Sequence, residues 1–367
     1  MTQSLDARAF EFKAPQKFSQ DFTVPATDKH GPWKVTYAIG GPEHGEDVPT
    51  ILFCCGMLAT RWLVGMFDWI AEKEGVRMLF IDRPGIGGST NVPLVERIPA
   101  FLEVVPLLLA HLKIKHISLA SHSAGTIYAL NLISRKPEIL SSTNPSVTLF
   151  SPWVHQSHTS VSFLTLASML PDSTLNQWDS ILQFCIRRAN PVFEASSSAF
   201  SPLTSIFAST NATAKKEKQE EEARRCLQGF GISLEVKEAN LKSTFRRIFA
   251  EETKGVNDEA RLCLKSTKGT NWLACEDYKE YVRELGREWQ GRITDAASKL
   301  KVDIVLPEKD IMVGEKGMRY FEDCWESEAF GQGIEVSCVR VKGADHETTI
   351  HPANETIARM FERAKGT

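Results

Sequence analysis

Ser123 lies in a short segment whose residue types suit an exposed nucleophile. The segment 121–125, Ser-His-Ser-Ala-Gly, separates an apolar run at 116–120 from a helix-length segment that begins near residue 126. A nucleophile elbow needs a strand, a sharp turn that exposes one hydroxyl, and then a helix. Its flanking positions must be small, a condition that Gly125 meets fully and Ser121 approximately. Taken alone, the pentapeptide also fits an ordinary strand–helix turn.

The segments around this turn alternate between strand and helix patterns. Short, nearly continuous apolar runs indicate strands that are covered on both faces, as in a parallel sheet flanked by helices. Such runs occur at 50–55, 76–81, 116–120 and 146–150, and an alternating strand pattern occurs at 33–39. After residue 298 we predict a strand at 301–306, a helix at 313–328, a strand at 334–341 and a helix at 347–365. The fold class predicted is α/β, with a doubly wound, mostly parallel sheet.

The chain between residues 154 and 298 has a different pattern. It shows helical periodicity without a convincing buried strand, and its charged run at 215–225 is typical of a solvated helix face. We therefore predict three parts. They are an N-terminal arm over 1–32, an α/β core over 33–153 and 299–367, and a helical lid over 154–298.

The composition argues against several classes of function. The chain has 367 residues and a net charge of −3, so we expect no nucleic-acid partner. Neither a signal-peptide core nor a run of 18 apolar residues occurs, so we expect no membrane span. The eight cysteines form no Cys-x-x-Cys pair, which favours reduced thiols and a cytoplasmic, intracellular location. His155 and His158 lack a third ligand nearby, and we predict neither a metal nor an organic cofactor.

Four motifs around the Ser123 turn resemble those of the α/β-hydrolase family, in the family's order. They are Cys-Cys-Gly-Met-Leu at 54–58, Asp-Arg-Pro-Gly-Ile-Gly-Gly-Ser at 82–89, Pro-Glu-Lys-Asp at 307–310 and Gly-Ala-Asp-His at 343–346. The sequence departs from the family pattern at Cys55, where a histidine is common, and at Ser121, where a glycine is usual. The resemblance covers about 33–153 and 299–365 and does not extend convincingly into the insertion.

The resemblance implies a catalytic triad in the family's chain order, Ser123, Asp310 and His346. Asp310 matches the position of the family's acid, with Glu308 and Asp303 as its competitors. His346 matches the position of the base, and His351 is a poor second because it falls inside the predicted closing helix.

The resemblance also implies an oxyanion hole made of two backbone N–H groups. These belong to Met57 and Ala124, with Leu58 as the alternative first donor. Asp82 and Arg83 are expected to hold their loop together without taking part in the chemistry. Cys54 and Cys55 are expected to be core residues at a strand end.

The implied activity is serine-dependent hydrolysis of an ester, thioester or similar acyl bond in an apolar small molecule, with a carboxylic ester as the first choice. A C–C bond hydrolase and an acyltransferase use the same triad, and a non-catalytic ligand-binding protein could share the fold. The oligomeric state is left open. Substrate contacts are expected from Leu58 and His122. Apolar lid residues could line the pocket or form the lid's own core: Trp153, Phe163, Leu164, Trp178, Phe184 and Trp272.

Overall fold

A computed structural model describes residues 15–45, 47–161, 172–181, 183 and 212–366. Eight strands form one sheet in the order β1-β2-β4-β3-β5-β6-β7-β8. In chain order they are Gln20–Val24, Trp33–Gly40, Thr50–Cys54, Arg77–Ile81, Ser118–His122, Ser146–Phe150, Leu300–Pro307 and Ile334–Val341. β2 is antiparallel to β1 and β4, and the other pairs are parallel. The predicted mostly parallel α/β sheet is confirmed.

Helices cover both faces of the sheet. Those outside the insertion are α1 (Asp68–Glu74), α2 (Arg97–His111), α3 (Gly125–Arg135), α9 (Gly314–Cys324), α10 (Ser327–Phe330) and α11 (Glu355–Lys365). Successive residues of a strand point to opposite faces, and β3 follows this rule. Its Leu52 packs with residues of α2 and α3, whereas Ile51 and Phe53 pack with residues of α1 and α11. Burial on both faces explains the continuous apolar runs of the central strands.

β1 lies in the segment that the sequence predicted to be an arm. It pairs with β2 along its whole length, from Gln20 opposite Tyr37 to Val24 opposite Trp33. As an edge strand it has one neighbour and a half-polar sequence, so its apolar pattern is weak. The sheet therefore includes part of the predicted arm 1–32, and that boundary is wrong for residues 20–24. Residues 1–14 lie outside the described part of the chain.

The described residues between β6 and β7 form helices and turns and no strand of the sheet. The helices are α4 (Asp172–Leu175), α5 (Ala212–Phe230), α6 (Leu234–Ala250), α7 (Gly255–Leu264) and α8 (Tyr278–Gln290). The charged run 215–225 lies within α5. Before α7 the insertion contacts the loop after β4, where the Gly87 N–H donates to the Glu252 carbonyl across 2.8 Å. None of the described helices has both the length and the hydrophobicity to cross a bilayer.

Candidate active site

Ser123 occupies a sharp turn between β5 and α3. Its φ of 53° lies in the left-handed region, which a non-glycine residue rarely adopts, and the surrounding backbone holds it there. The Ser123 N–H donates to the Phe150 carbonyl at 3.0 Å, and the Thr126 N–H donates to the Ser123 carbonyl at 3.0 Å. A Cβ at position 125 would lie 1.9 Å from the Cys54 carbonyl oxygen, so only glycine fits there. The predicted strand–turn–helix is present.

The structure brings the three predicted triad residues together at the ends of β5, β7 and β8. His346 Nε2 lies 2.9 Å from Ser123 Oγ, and His346 Nδ1 lies 2.8 Å from Asp310 Oδ2. The other carboxylate oxygen of Asp310 accepts hydrogen bonds from the N–H groups of Met312 and Val313. All three triad side chains are buried. This geometry allows His346 to accept the Ser123 proton while Asp310 orients the ring.

The charge state of the acid and the base follows from burial and from their contact. Burial alone would raise the pKa of Asp310, but His346 and two backbone N–H groups lower it below its ordinary value. Burial opposes the imidazolium form of His346, yet the Asp310 carboxylate outweighs this effect and raises the pKa of His346 to about 9. The pair therefore stabilises the imidazolium that proton abstraction from Ser123 would create.

The competing acids and the competing base have other partners. Asp303 forms ion pairs with two arginines of α11, and Glu308 accepts a hydrogen bond from the Gly343 N–H. The ring of His351 accepts a hydrogen bond from the Ala353 N–H and packs against Phe230. None of these contacts involves Ser123.

The backbone after β3 passes beside Ser123, where the oxyanion hole was predicted. A Cβ at position 56 would lie 3.6 Å from Ser123 Cβ, which shows how closely Gly56 approaches the hydroxyl-bearing side chain. The N–H groups of Met57 and Ala124 have no acceptor among the described residues. Leu58 is half-buried in the same loop. An oxyanion hole requires two such free N–H donors, and the assignment of Met57 and Ala124 stays a prediction.

Comparison with solved structures identifies the fold. An epoxide hydrolase from Vigna radiata aligns over 96% of this chain and 100% of its own, with 16% identity and a TM-score of 0.54. An alpha/beta hydrolase enzyme from a Medee basin deep-sea metagenome library aligns over 94% and 98%, with 13% identity and a TM-score of 0.53. A thermophilic esterase from Thermogutta terrifontis aligns over 93% and 95%, with 15% identity and a TM-score of 0.51.

The chain has the α/β-hydrolase fold. Neither a protein-family model nor a curated protein matches its sequence. The resemblance that the four motifs indicated is therefore confirmed by the fold, at sequence identities too low to indicate more than the fold.

Within this α/β-hydrolase fold, His122 holds the loop that carries His346. Burial first, and then the nearby His346 charge, lower the pKa of His122 to about 3, so the ring is neutral. Its Nε2 lies 2.9 Å from the His346 carbonyl oxygen. Because a carbonyl oxygen only accepts, Nε2 carries the proton and Nδ1 does not. The sequence did not reveal this supporting role, and the substrate contact expected from His122 stays a prediction.

Burial and hydrogen bonding favour a packing role for two of the predicted substrate contacts. Trp153 and Trp272 are buried, and their indole N–H groups donate to the carbonyls of Cys263 and Leu262 at 3.1 and 2.7 Å. Both rings therefore belong to the packed core between the insertion and the sheet, because buried indoles are stable where the N–H finds an acceptor. Trp178 is half-buried, and its indole nitrogen has no partner among the described residues. Phe163, Leu164 and Phe184 lie outside the described residues.

The cysteines after β3 have the expected structural role. Cys54 and Cys55 are both buried and free. Burial raises the pKa of the Cys54 thiol to about 12 and that of Cys55 further, so neither is a thiolate at neutral pH.

Among the described residues, one group has donor atoms close enough to hold a metal ion: His122, His346 and Glu347. Both ring nitrogens of His346 already contact the other triad members, and His122 Nε2 donates to a carbonyl. The nitrogen atoms that could bind a metal ion are therefore the same ones that contact Ser123, Asp310 and the His346 carbonyl. His155 and His158 instead line a small cavity of about 50 Å³ together with Trp272 and Tyr320.

Glu259, a carboxylate of α7 with no solvent exposure, was not among the residues predicted from the sequence. It forms ion pairs with Arg83 and Arg97 of the core. In α7, which reads GVNDEARLCL, Glu259 follows Asn257 and Asp258 and precedes Arg261 by two residues, so the helix pattern does not mark it as buried. Its partners Arg83 and Arg97 lie far from it in the sequence, so no local pattern links them to Glu259.

Proposed function

We propose that this chain is a serine hydrolase that cleaves an acyl bond in an apolar small molecule, with a carboxylic ester as the simplest substrate. The observation that carries the proposal is the continuous contact from Ser123 Oγ through the His346 ring to Asp310, at 2.9 and 2.8 Å. An activated serine needs such a base and such an orienting carboxylate. An esterase and an epoxide hydrolase share this fold, so the fold alone does not select the reaction.

The reaction proceeds through an acyl-enzyme. His346 Nε2 removes the Ser123 proton as Oγ attacks the substrate carbonyl carbon, and the carbonyl π electrons move onto oxygen. The N–H groups of Met57 and Ala124 stabilise this oxyanion, and loss of one such donor typically lowers the rate by roughly 10²–10³. The tetrahedral intermediate collapses, and the His346 proton goes to the leaving alkoxide. A water molecule then repeats the sequence on the acyl-enzyme, which releases the acid and restores Ser123.

We further propose that the insertion acts as a lid that selects the substrate. In an open α/β sheet, ligands bind at the carboxyl ends of the strands. The insertion contacts the loop after β4 at that edge, and Arg225 of α5 bonds to Asn354 beyond the His346 loop. A hydrolase of C–C bonds differs from an esterase in the substrate that it binds, and an acyltransferase differs in the acceptor. A lid over the site would select that substrate or acceptor.

Labelling with a fluorophosphonate tests the proposal without knowledge of the substrate. We expect the folded wild-type protein to be labelled, and peptide mass spectrometry to locate the adduct on Ser123. Ser123→Ala should abolish labelling. Ser121→Ala is the matched control, since Ser121 is buried near the end of β5, two residues before Ser123, and its hydroxyl is 3.5 Å from the Thr126 hydroxyl. It should still be labelled. A folded wild-type protein that takes no label, as a non-catalytic binding protein would, contradicts the proposal.

A further inference from the structure

Glu259 in α7 is the centre of a buried ion-pair cluster between the insertion and the core. Its carboxylate lies 3.0 Å from Arg83 Nη1 and 2.6 Å from Arg97 Nη2, and it accepts a hydrogen bond from the Tyr128 hydroxyl at 2.6 Å. All four side chains are buried. A single carboxylate therefore balances two buried guanidinium groups. Taking it away would leave both without this counter-ion, which is costly in a buried site.

The other side of the Arg83 guanidinium contacts the backbone beside Ser123. Arg83 Nη2 donates to the carbonyl oxygen of Gly56 at 2.5 Å and to that of Met57 at 3.1 Å. In a planar trans peptide unit, the C=O and the following N–H point in opposite directions. By holding the Gly56 carbonyl, Arg83 directs the Met57 N–H away from itself. The same argument applies to the Met57 carbonyl and the Leu58 N–H.

Arg83 thus fixes the orientation of both N–H groups that are candidates for the first oxyanion donor. Its planar fork can hold the carboxylate and the two carbonyls together, which a single ammonium group cannot do. Glu259 fixes Arg83 in turn. The contact runs from α7 of the insertion, through Glu259 and Arg83, to the backbone of Gly56 and Met57.

We propose that Glu259 and Arg83 are positioning residues through which the insertion sets the oxyanion hole. The proposal rests on the proposed serine-hydrolase function. It means that the insertion influences transition-state stabilisation as well as access to the site. A shift of about 1 Å in a catalytic group can lower a rate by roughly 10²-fold, so a small reorientation of the Met57 N–H suffices.

Glu251 provides a matched control because it is a second acidic residue that ties the insertion to the core. It pairs with Arg61 at 2.6 Å, and Arg61 pairs with Asp82 at 2.5 Å. Neither the Glu251 nor the Arg61 side chain bonds to the Gly56 or Met57 backbone. Loss of this contact should loosen the insertion without turning the oxyanion donors.

The test uses an alkyl trifluoromethyl ketone, which forms a tetrahedral adduct with an activated serine and so mimics the transition state. Its inhibition constant is measured as protection against fluorophosphonate labelling, with the active sites titrated first. A partly unfolded preparation lowers the number of sites but leaves this constant unchanged. The pH dependence of labelling is recorded as well, since it reports on His346 and not on the oxyanion donors.

We expect Glu259→Gln and Arg83→Lys to raise the inhibition constant by roughly 10- to 100-fold, with the pH dependence unchanged, and Glu251→Gln to stay within about threefold. Arg83→Lys decides the matter if Glu259→Gln does not fold, because it keeps the buried charge. An unchanged constant for Arg83→Lys, or an equal effect of Glu251→Gln, overturns this inference alone. Wild-type protein that takes no label at Ser123 overturns the proposed function and this inference with it.

Discussion

The imidazole of His122 donates a hydrogen bond to the carbonyl oxygen of His346 across 2.9 Å. His122 is the last residue of β5, and His346 lies in the loop after β8. These strands are not neighbours, since β6 and β7 lie between them in the sheet. The hydroxyl of Ser151, in the loop after β6, donates to the same carbonyl at 2.8 Å. The backbone of His346 is thus held from two strand ends, while Asp310 holds its ring.

Replacement of His122 should therefore slow the reaction without removing a reacting group. We expect His122→Phe to lower the rate of fluorophosphonate labelling by roughly 10- to 100-fold, because the His346 carbonyl loses one of its three side-chain donors. The others are the Ser151 and Thr349 hydroxyls. His122→Gln retains a side-chain N–H donor and should recover much of the rate. Equal rates for wild type and His122→Phe would show that the Ser151 and Thr349 hydroxyls are sufficient anchors.

Asp310 should be the acid of the triad. We expect Asp310→Asn to lower turnover of a p-nitrophenyl ester by roughly 10⁴, because the amide favours the wrong tautomer of His346. Asp303→Asn and Glu308→Gln serve as controls of the same chemistry, since both carboxylates bond elsewhere. They should have much smaller effects. If Glu308→Gln were the crippling change, the acid would lie two residues earlier.

The elements predicted from the sequence are those that leave a pattern among residues close together in the chain. The strand–turn–helix at Ser123 requires small residues on both sides of one position, and buried parallel strands require continuous apolar runs. β1 has neither signal, because an edge strand buries little and QDFTV is half polar. The contact between Glu259 and Arg97 joins residues 162 positions apart, so no pattern along the chain indicates it. The sequence also does not distinguish the two roles considered for the tryptophans, since an apolar ring suits a pocket wall and a packed core equally well.

The pH dependence of Ser123 labelling should follow the protonation of His346. Only the neutral imidazole can accept the serine proton, so the rate should rise with pH and level off above the pKa of His346. Asp310 raises that pKa to about 9, so the midpoint should lie above the ordinary imidazole value near 6.5. In Asp310→Asn the residual activity should rise at a lower pH, because the stabilising charge is gone. A midpoint at or below 6.5 in the wild type contradicts this electrostatic account.

His351 should make the fold sensitive to acid. Burial, followed by the charges of Lys237 and Arg225, lowers its pKa to about 3, so the folded state keeps the ring neutral while the unfolded chain binds a proton below about pH 6.5. The stabilising effect of the neutral ring is therefore present above pH 6.5 and is lost as the pH falls toward 3. The slope is at most about 1.4 kcal/mol per pH unit for one such group.

Urea unfolding at several pH values measures this slope. His351→Gln cannot take up the proton and should lose less unfolding free energy between pH 6.5 and pH 4 than the wild type. The difference in unfolding free energy between His351→Gln and the wild type at pH 8 measures any loss of packing against Phe230. Parallel curves for the two proteins would assign the acid sensitivity to other groups, with the buried and neutral His122 as the next candidate.

Trp178 and Trp272 should separate substrate selection from packing. Trp272 is buried with its N–H bonded, so Trp272→Ala should cost about 3–5 kcal/mol of unfolding free energy and leave the preference between short and long acyl esters unchanged. Trp178 is half-buried with an indole nitrogen that has no partner among the described residues. If its ring contacts the substrate, Trp178→Ala should shift kcat/KM between long and short p-nitrophenyl esters by roughly 1–3 kcal/mol. Its reactivity toward a small fluorophosphonate should stay near that of the wild type. An unchanged preference together with a lower melting temperature would place Trp178 in the packed core, beside Trp153 and Trp272.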